Sequence, residues 1–161
     1  MDELQITVIG AGHGGKAMAA ELASRDFSVR LYNRTSSHIE TIAERGGIEL
    51  SFWDGRMAFG EIDLTTSDIA SAIADSQLIM VVIPASGHYD VAAALAPHLQ
   101  DGQIIVLNPG RTGGALEFRQ VLLKHHCQAD VILAEAETFL FASRSIGPAE
   151  AYIFRRKNSL P

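Results

Sequence analysis

The sequence is poor in several features, and each shortage excludes something. It holds one cysteine, Cys127, in 161 residues, so no internal disulfide can form and the chain fits a reducing compartment. It has no basic excess. Thirteen Lys and Arg stand against 19 Asp and Glu, a formal net charge of −6. That balance argues against a nucleic-acid or anionic-membrane partner, since both need a basic surface to displace counterions from phosphate. Only Arg155, Arg156 and Lys157 are locally basic. The strongest apolar run, residues 78–85, falls far short of the ~20 residues that a spanning helix needs. The N-terminus, Met1-Asp2-Glu3-Leu4, is acidic and leads straight into strand-like sequence, without the basic and then apolar layout of a signal peptide. The expectation is a cytoplasmic protein that engages neither membrane nor nucleic acid.

What is present is the material of one globular domain. The AVILMFWYC set makes up 47% of the chain, and a domain of this size buries roughly 70% of the surface its unfolded chain exposes. It needs neither disulfide nor structural metal. Apolar β-rich runs alternate with alanine-rich helical ones, which predicts an α/β protein: a three-layer, doubly wound fold with a mainly parallel sheet. Strands are expected over residues 4–9, 27–32, 78–83, 103–107, 131–134 and 151–154. Helices are expected over residues 16–24, 67–74, 89–99 and 115–125. Ser37-x-x-Glu40 has the pattern of a capping box and opens a further short helix that ends at Gly46-Gly47. Residues 48–52 and 56–59 flank Asp54-Gly55, a dipeptide suited to a tight turn, and predict a small hairpin embellishing the third strand.

Between the first strand and the first helix lies Gly10-Ala11-Gly12-His13-Gly14-Gly15, a G-x-G-x-x-G match. Its position matters more than its letters. Gly10 permits the tight turn, Gly12 lets backbone approach a pyrophosphate, and Gly15 lets helix and strand pack closely. The unpaired N–H groups and positive end of the helix then hold the phosphates. His13 and Gly14 lie within this loop and join the candidate cofactor residues.

At the end of the second strand, an Asp or Glu would bind the ribose 2′-hydroxyl of NAD. Here the chain reads Asn33-Arg34-Thr35-Ser36. No carboxylate is present to repel a 2′-phosphate, while Arg34 offers a guanidinium fork and Asn33, Thr35 and Ser36 offer neutral polar groups. The charge logic favours NADP. NAD stays open if Arg34 is a solvated loop residue and Asn33 serves alone.

Ligands of such sheets sit beyond the carboxyl ends of the strands, where strand order reverses. Pro84, Ala85 and His88 follow the fourth strand, and Asn108 to Gly114 follow the fifth. Glu135 follows the sixth. His88 is expected to face the cleft, Glu135 to reach the nicotinamide ribose or carboxamide or else to serve as a structural carboxylate, and Arg111 to be solvated. His125 and His126 are adjacent, so they diverge on a helix and make a poor metal pair. No metal site is expected.

Together, Gly10-x-Gly12-His13-Gly14-Gly15, Pro84-Ala85-x-x-His88, Asn108-Pro109-Gly110-x-Thr112-Gly113-Gly114-Ala115-Leu116-Glu117-Phe118 and the segment from Glu135 to Arg144 resemble the opine dehydrogenases, the octopine and nopaline dehydrogenase family. The resemblance spans nearly the whole chain. The Asn-Pro-Gly-x-Thr-Gly-Gly stretch separates that family from the glycerol-3-phosphate dehydrogenases and ketopantoate reductases. It implies reductive condensation of an amino acid with an α-keto acid such as pyruvate, using hydride from NAD(P)H.

It also implies a second, helical domain carrying the catalytic His-Asp pair and most of the amino-acid pocket. The 161 residues would then be a single Rossmann NAD(P)-binding domain, with no catalytic residue assigned within it. Ala136 departs from the family, which often has Thr after the glutamate. Two other readings stay open: a stand-alone dinucleotide-binding or sensing module, and a half-enzyme completed by a partner chain. An isolated cofactor half would expose apolar surface, so a homodimer is expected.

Overall fold

A computed structural model describes residues 4–159. Residues 1–3 and 160–161, on which the readings of the N-terminus and the chain end rest, lie outside the described residues. In chain order the elements are β1 (Gln5–Ile9), α1 (His13–Ala23), β2 (Ser28–Tyr32), α2 (Glu40–Arg45), β3 (Gly47–Phe52), β4 (Met57–Glu61) and β5 (Leu64–Thr66). There follow α3 (Ile69–Ile73), β6 (Leu78–Val81), α4 (His88–Leu95), β7 (Ile104–Leu107), α5 (Gly114–Lys124), β8 (Ile132–Glu135), β9 (Phe141–Gly147) and β10 (Glu150–Arg156).

Six strands form a wholly parallel sheet in the order β5-β2-β1-β6-β7-β8. Strand order reverses between β1 and β6, which makes this a doubly wound α/β fold of the Rossmann type. The central strands are apolar without alternation because both of their faces are buried. Ile6, Val8 and Met80 join the core on the α1 side, while Ile9, Ile79 and Val81 join the core formed with α3, α4 and α5. Thr7 is the polar exception, and its hydroxyl donates to the Ala72 carbonyl at 2.6 Å.

The expected hairpin lies elsewhere than predicted. The third strand of the parallel sheet is β5, whereas β3 and β4 belong to a second, four-stranded sheet of order β4-β3-β10-β9. There β3 runs parallel to β10, and the outer pairs are antiparallel. The half-buried alternation of residues 47–61 explains the difference, because such a strand cannot serve where both faces are covered. At the turn only Gly55 takes positive φ, 82°.

This second sheet covers the outer side of α1. Ala17, Ala19 and Ala20 are fully buried, and a Cβ on Gly60 of β4 would stand 2.5 Å from the Ala20 carbonyl oxygen. The small residues of α1 therefore allow close approach on two sides, making a fourth layer.

Two caps resolve differently. Asp68 caps α3 as expected, accepting from the Ser71 N–H at 3.1 Å. The Ser37–Glu40 box does not form: residues 36–38 make a 3-10 turn, and Ile39 precedes α2 without a side-chain cap. The turn already consumes the local backbone, since the His38 N–H donates to the Thr35 carbonyl. The far end of α2 behaves as expected, with Gly46 in the left-handed region at φ 70°. No helix among the described residues is long and apolar enough to cross a membrane.

Candidate functional site

The carboxyl ends of β1, β2, β6, β7 and β8 converge on one edge, and most of the residues singled out above follow them. Gly10 has φ 107°, a conformation that a side chain would strain. A Cβ there would also come within 2.5 Å of the Val82 carbonyl oxygen. A Cβ on Gly15 would overlap the Gly10 carbonyl oxygen, so the helix can press on the loop only without one. Gly12 differs from both. Its backbone is extended, at φ −76° and ψ −167°, and a Cβ on it would meet nothing within 4 Å. Beside Gly12 the protein leaves open space.

The first turn of α1 presents N–H groups with no side-chain cap, the condition under which a helix end receives an anion. Behind it, Gly14 packs against the Phe139 ring. His13 is exposed, and its Nδ1 accepts from the Ser145 N–H at 2.9 Å. Lys16 is 7% exposed, donating to Ser145 Oγ at 3.0 Å and to the Gly147 carbonyl at 3.2 Å. Burial lowers the Lys16 pKa from its ordinary value.

At the end of β2, Asn33 is committed to the backbone. Its Oδ1 accepts from the Ala11 N–H at 3.1 Å, and its Nδ2 donates to the Thr35 carbonyl at 3.0 Å. The amide therefore ties the glycine loop to the turn after β2. Arg34 and Thr35 are exposed. Arg34 makes one long contact, 3.4 Å, to Asp90 in the first turn of α4, with side chains 81% and 66% exposed. Such a surface pair contributes at most about 1 kcal/mol.

Beyond β6 to β8 the arrangement is tighter. Pro84 and Ala85 are exposed, and Ala85 opens a single 3-10 turn that runs to Gly87. His88 does not face an open cleft: it is 0% exposed. Its Nδ1 lies 3.4 Å from where a Gly114 Cβ would stand, against the start of α5. Desolvation lowers its pKa, opposed by the carboxylates of Glu117 and Glu135. Both its nitrogens lack hydrogen-bond partners, as does Oδ1 of buried Asn108, which a cis peptide bond joins to Pro109. Buried polar atoms without partners are costly, so these orphans mark places where a polar group would be received.

Glu135 caps α5 from outside, its Oε2 accepting from the Ala115 N–H at 2.6 Å. Gly110 makes room for it, since a Cβ there would sit 2.8 Å from the same oxygen. Arg111 is exposed at φ 56°. The reading of the sequence missed Ser145, Gly147 and the burial of Lys16, because β9 is too polar to stand out as a strand.

The geometry fits a dinucleotide: uncapped N–H groups, open space beside Gly12, and orphaned polar atoms at the far end. Residues 5–131 match the family model described as the NAD-dependent glycerol-3-phosphate dehydrogenase N-terminus. The chain is 38% identical to an opine dehydrogenase of Arthrobacter sp. (strain 1C) over 153 residues, 95% of this chain and 42% of that protein. It is 36% identical to a glycerol-3-phosphate dehydrogenase [NAD(P)+] of Shewanella oneidensis over 106 residues, 65% of this chain and 31% of that protein.

Among solved structures, octopine dehydrogenase in complex with NADH and agmatine superposes with a TM-score of 0.87 at 23% identity, covering 98% of this chain and 41% of that one. Yersinopine dehydrogenase with NADP+ bound gives 0.77 at 22% identity, covering 98% and 40%. These structures share the fold. The chain spans about two fifths of the length of the opine dehydrogenase it matches.

Proposed function

The chain belongs to the family of the NAD-dependent glycerol-3-phosphate dehydrogenase N-terminus and is an opine dehydrogenase homologue, and from that premise we propose that it is the NADP(H)-binding domain of an opine-dehydrogenase-like oxidoreductase. One observation carries the reading: a glycine loop whose first and third positions admit no Cβ, and whose second faces open space, directly before an uncapped helix. In this reading Gly12, His13, Gly14 and Gly15 hold the pyrophosphate through backbone N–H groups, while Gly10, whose own N–H is donated to the Tyr32 carbonyl, supplies the turn that aims them. Asn33 sets the loop through Ala11, while Arg34 and Thr35 receive the adenosine ribose and its 2′-phosphate. Pro84, Ala85, Asn108, Pro109 and Glu135 line the nicotinamide end, with His88 buried behind them against the start of α5.

The chemistry supplied by the bound cofactor is hydride donation, here to an imine formed between an amino acid and an α-keto acid. Those small-molecule substrates would be held largely by a second domain, so residues 1–161 contribute the dinucleotide and none of the acid–base groups. The preference for NADP is supported by the absence of carboxylates in residues 33–36 and by the exposed Arg34 guanidinium. Exposed Leu116, Leu123 and Ile132 on α5 and β8 support a homodimer, which light scattering tests.

Titration calorimetry decides the cofactor. NADPH is expected to bind more tightly than NADH, and equal affinities or tighter NADH would overturn the NADP assignment. The chain alone is expected not to oxidise NADPH with pyruvate and an amino acid, so measurable turnover would mean that its catalytic groups have been misplaced.

A further inference from the structure

Resting on this dinucleotide reading, we propose that His13 is a positioning residue, a neutral imidazole that braces the first turn of α1 against β9 and so holds the phosphate-binding backbone in its binding shape. The glycine loop needs such a brace. Three of its six positions are the motif glycines, which have the most backbone freedom to lose, and Gly12, at the cap position before α1, has no side chain with which to cap it. A loop that must be ordered by its ligand spends affinity on ordering.

The brace comes from the second sheet. Among the described residues β9 is the edge strand of that sheet, with β10 on one side and no strand on the other. Its Ser145 N–H donates to His13 Nδ1 at 2.9 Å. An imidazole that accepts at Nδ1 carries its proton on Nε2 and is uncharged. Neighbouring contacts reinforce the same turn. The Ser143 hydroxyl donates to the His13 carbonyl at 3.4 Å, Lys16 Nζ donates to Ser145 Oγ and the Gly147 carbonyl, and a Gly14 Cβ would come within 2.9 Å of the Phe139 ring. Three of the first four residues of α1 are thus held by residues 139–147.

The test compares NADPH affinity in the 161-residue chain and two variants. His13→Ala should weaken NADPH by about tenfold, the scale of one lost hydrogen bond, with the melting temperature nearly unchanged. His13→Asn, whose Oδ1 can accept the same Ser145 N–H, should return affinity to within about threefold of the original. Nitrogen-15 NMR of the imidazole should place the proton on Nε2. An unaffected His13→Ala variant, an Asn variant as weak as Ala, or a proton on Nδ1 would each overturn the brace, the second pointing instead to direct contact through Nε2. Failure of the unaltered chain to bind either NADPH or NADH would overturn the dinucleotide reading, and the brace with it.

Discussion

In the proposed reading, the pyrophosphate end and the ribose end of the cleft are built by opposite means. At the first, recognition would be done by backbone whose shape is forced from behind: Gly15 against the Gly10 carbonyl, Gly14 against Phe139, the Ala11 N–H on Asn33. At the second it would be left to exposed side chains, Arg34 and Thr35, with Arg34 held by one long contact to Asp90. Where backbone binds, the sequence is constrained by packing. Where side chains bind, it is constrained by charge alone, and a neighbouring carboxylate can change the outcome.

The contrast breaks most sharply at Gly15. Gly15→Val should destabilise the fold by about 3 kcal/mol, because backbone rather than a flexible side chain must move; urea unfolding reads this, and an unchanged midpoint would mean that the loop is looser than described. Gly12→Val sharpens the same point. A Cβ there meets nothing within 4 Å, so melting should be nearly unaltered while NADPH affinity falls by at least about a hundredfold in calorimetry. Retained affinity would remove Gly12 from the phosphate site.

At the other end, Arg34→Ala should weaken NADPH by about tenfold and leave NADH unchanged, a difference that competition binding resolves. Equal losses for both nucleotides would return Arg34 to the status of a loop residue. The smallest effect concerns His88, remote from both. Its folded pKa is lowered from 6.5 by burial, so between the folded and unfolded values the unfolded chain binds the extra proton. Its stabilising contribution is therefore complete above pH 6.5 and is lost as pH falls through the folded value. Melting temperatures taken from pH 7.5 to 5 should decline more steeply for the original chain than for a His88→Leu variant.

Much of this was legible in the residues themselves. The order of apolar runs and glycines announced the parallel sheet, because strands buried on both faces read as unbroken Val, Ile and Leu, and Gly10, Gly12 and Gly15 carry their constraint in their identity. The second sheet was not legible as a unit. β3 and β10 lie about a hundred residues apart in sequence, and their pairing depends on a shared partner, α1, that no local pattern reveals. β9, reading Phe-Ala-Ser-Arg-Ser-Ile-Gly, is an edge strand with little apolar alternation. His88 was misplaced for a related reason: its position after Pro84 suggested the cleft, but the turn of residues 85–87 rotates it beneath α5.

The enclosure of α1 between two sheets has an electrical consequence. A helix dipole is ordinarily weakened by water and ions along its flanks, yet here residues 15–21 of α1 are buried and solvent reaches the helix at its two ends. Its field emerges at the glycine loop like that of a sheathed conductor, largely beyond the reach of dissolved salt. The guanidinium of Arg34 has no such sheath. Raising ionic strength should then erode the hold on the 2′-phosphate faster than the hold on the pyrophosphate, so that the chain grows less able to tell the two nucleotides apart as salt increases.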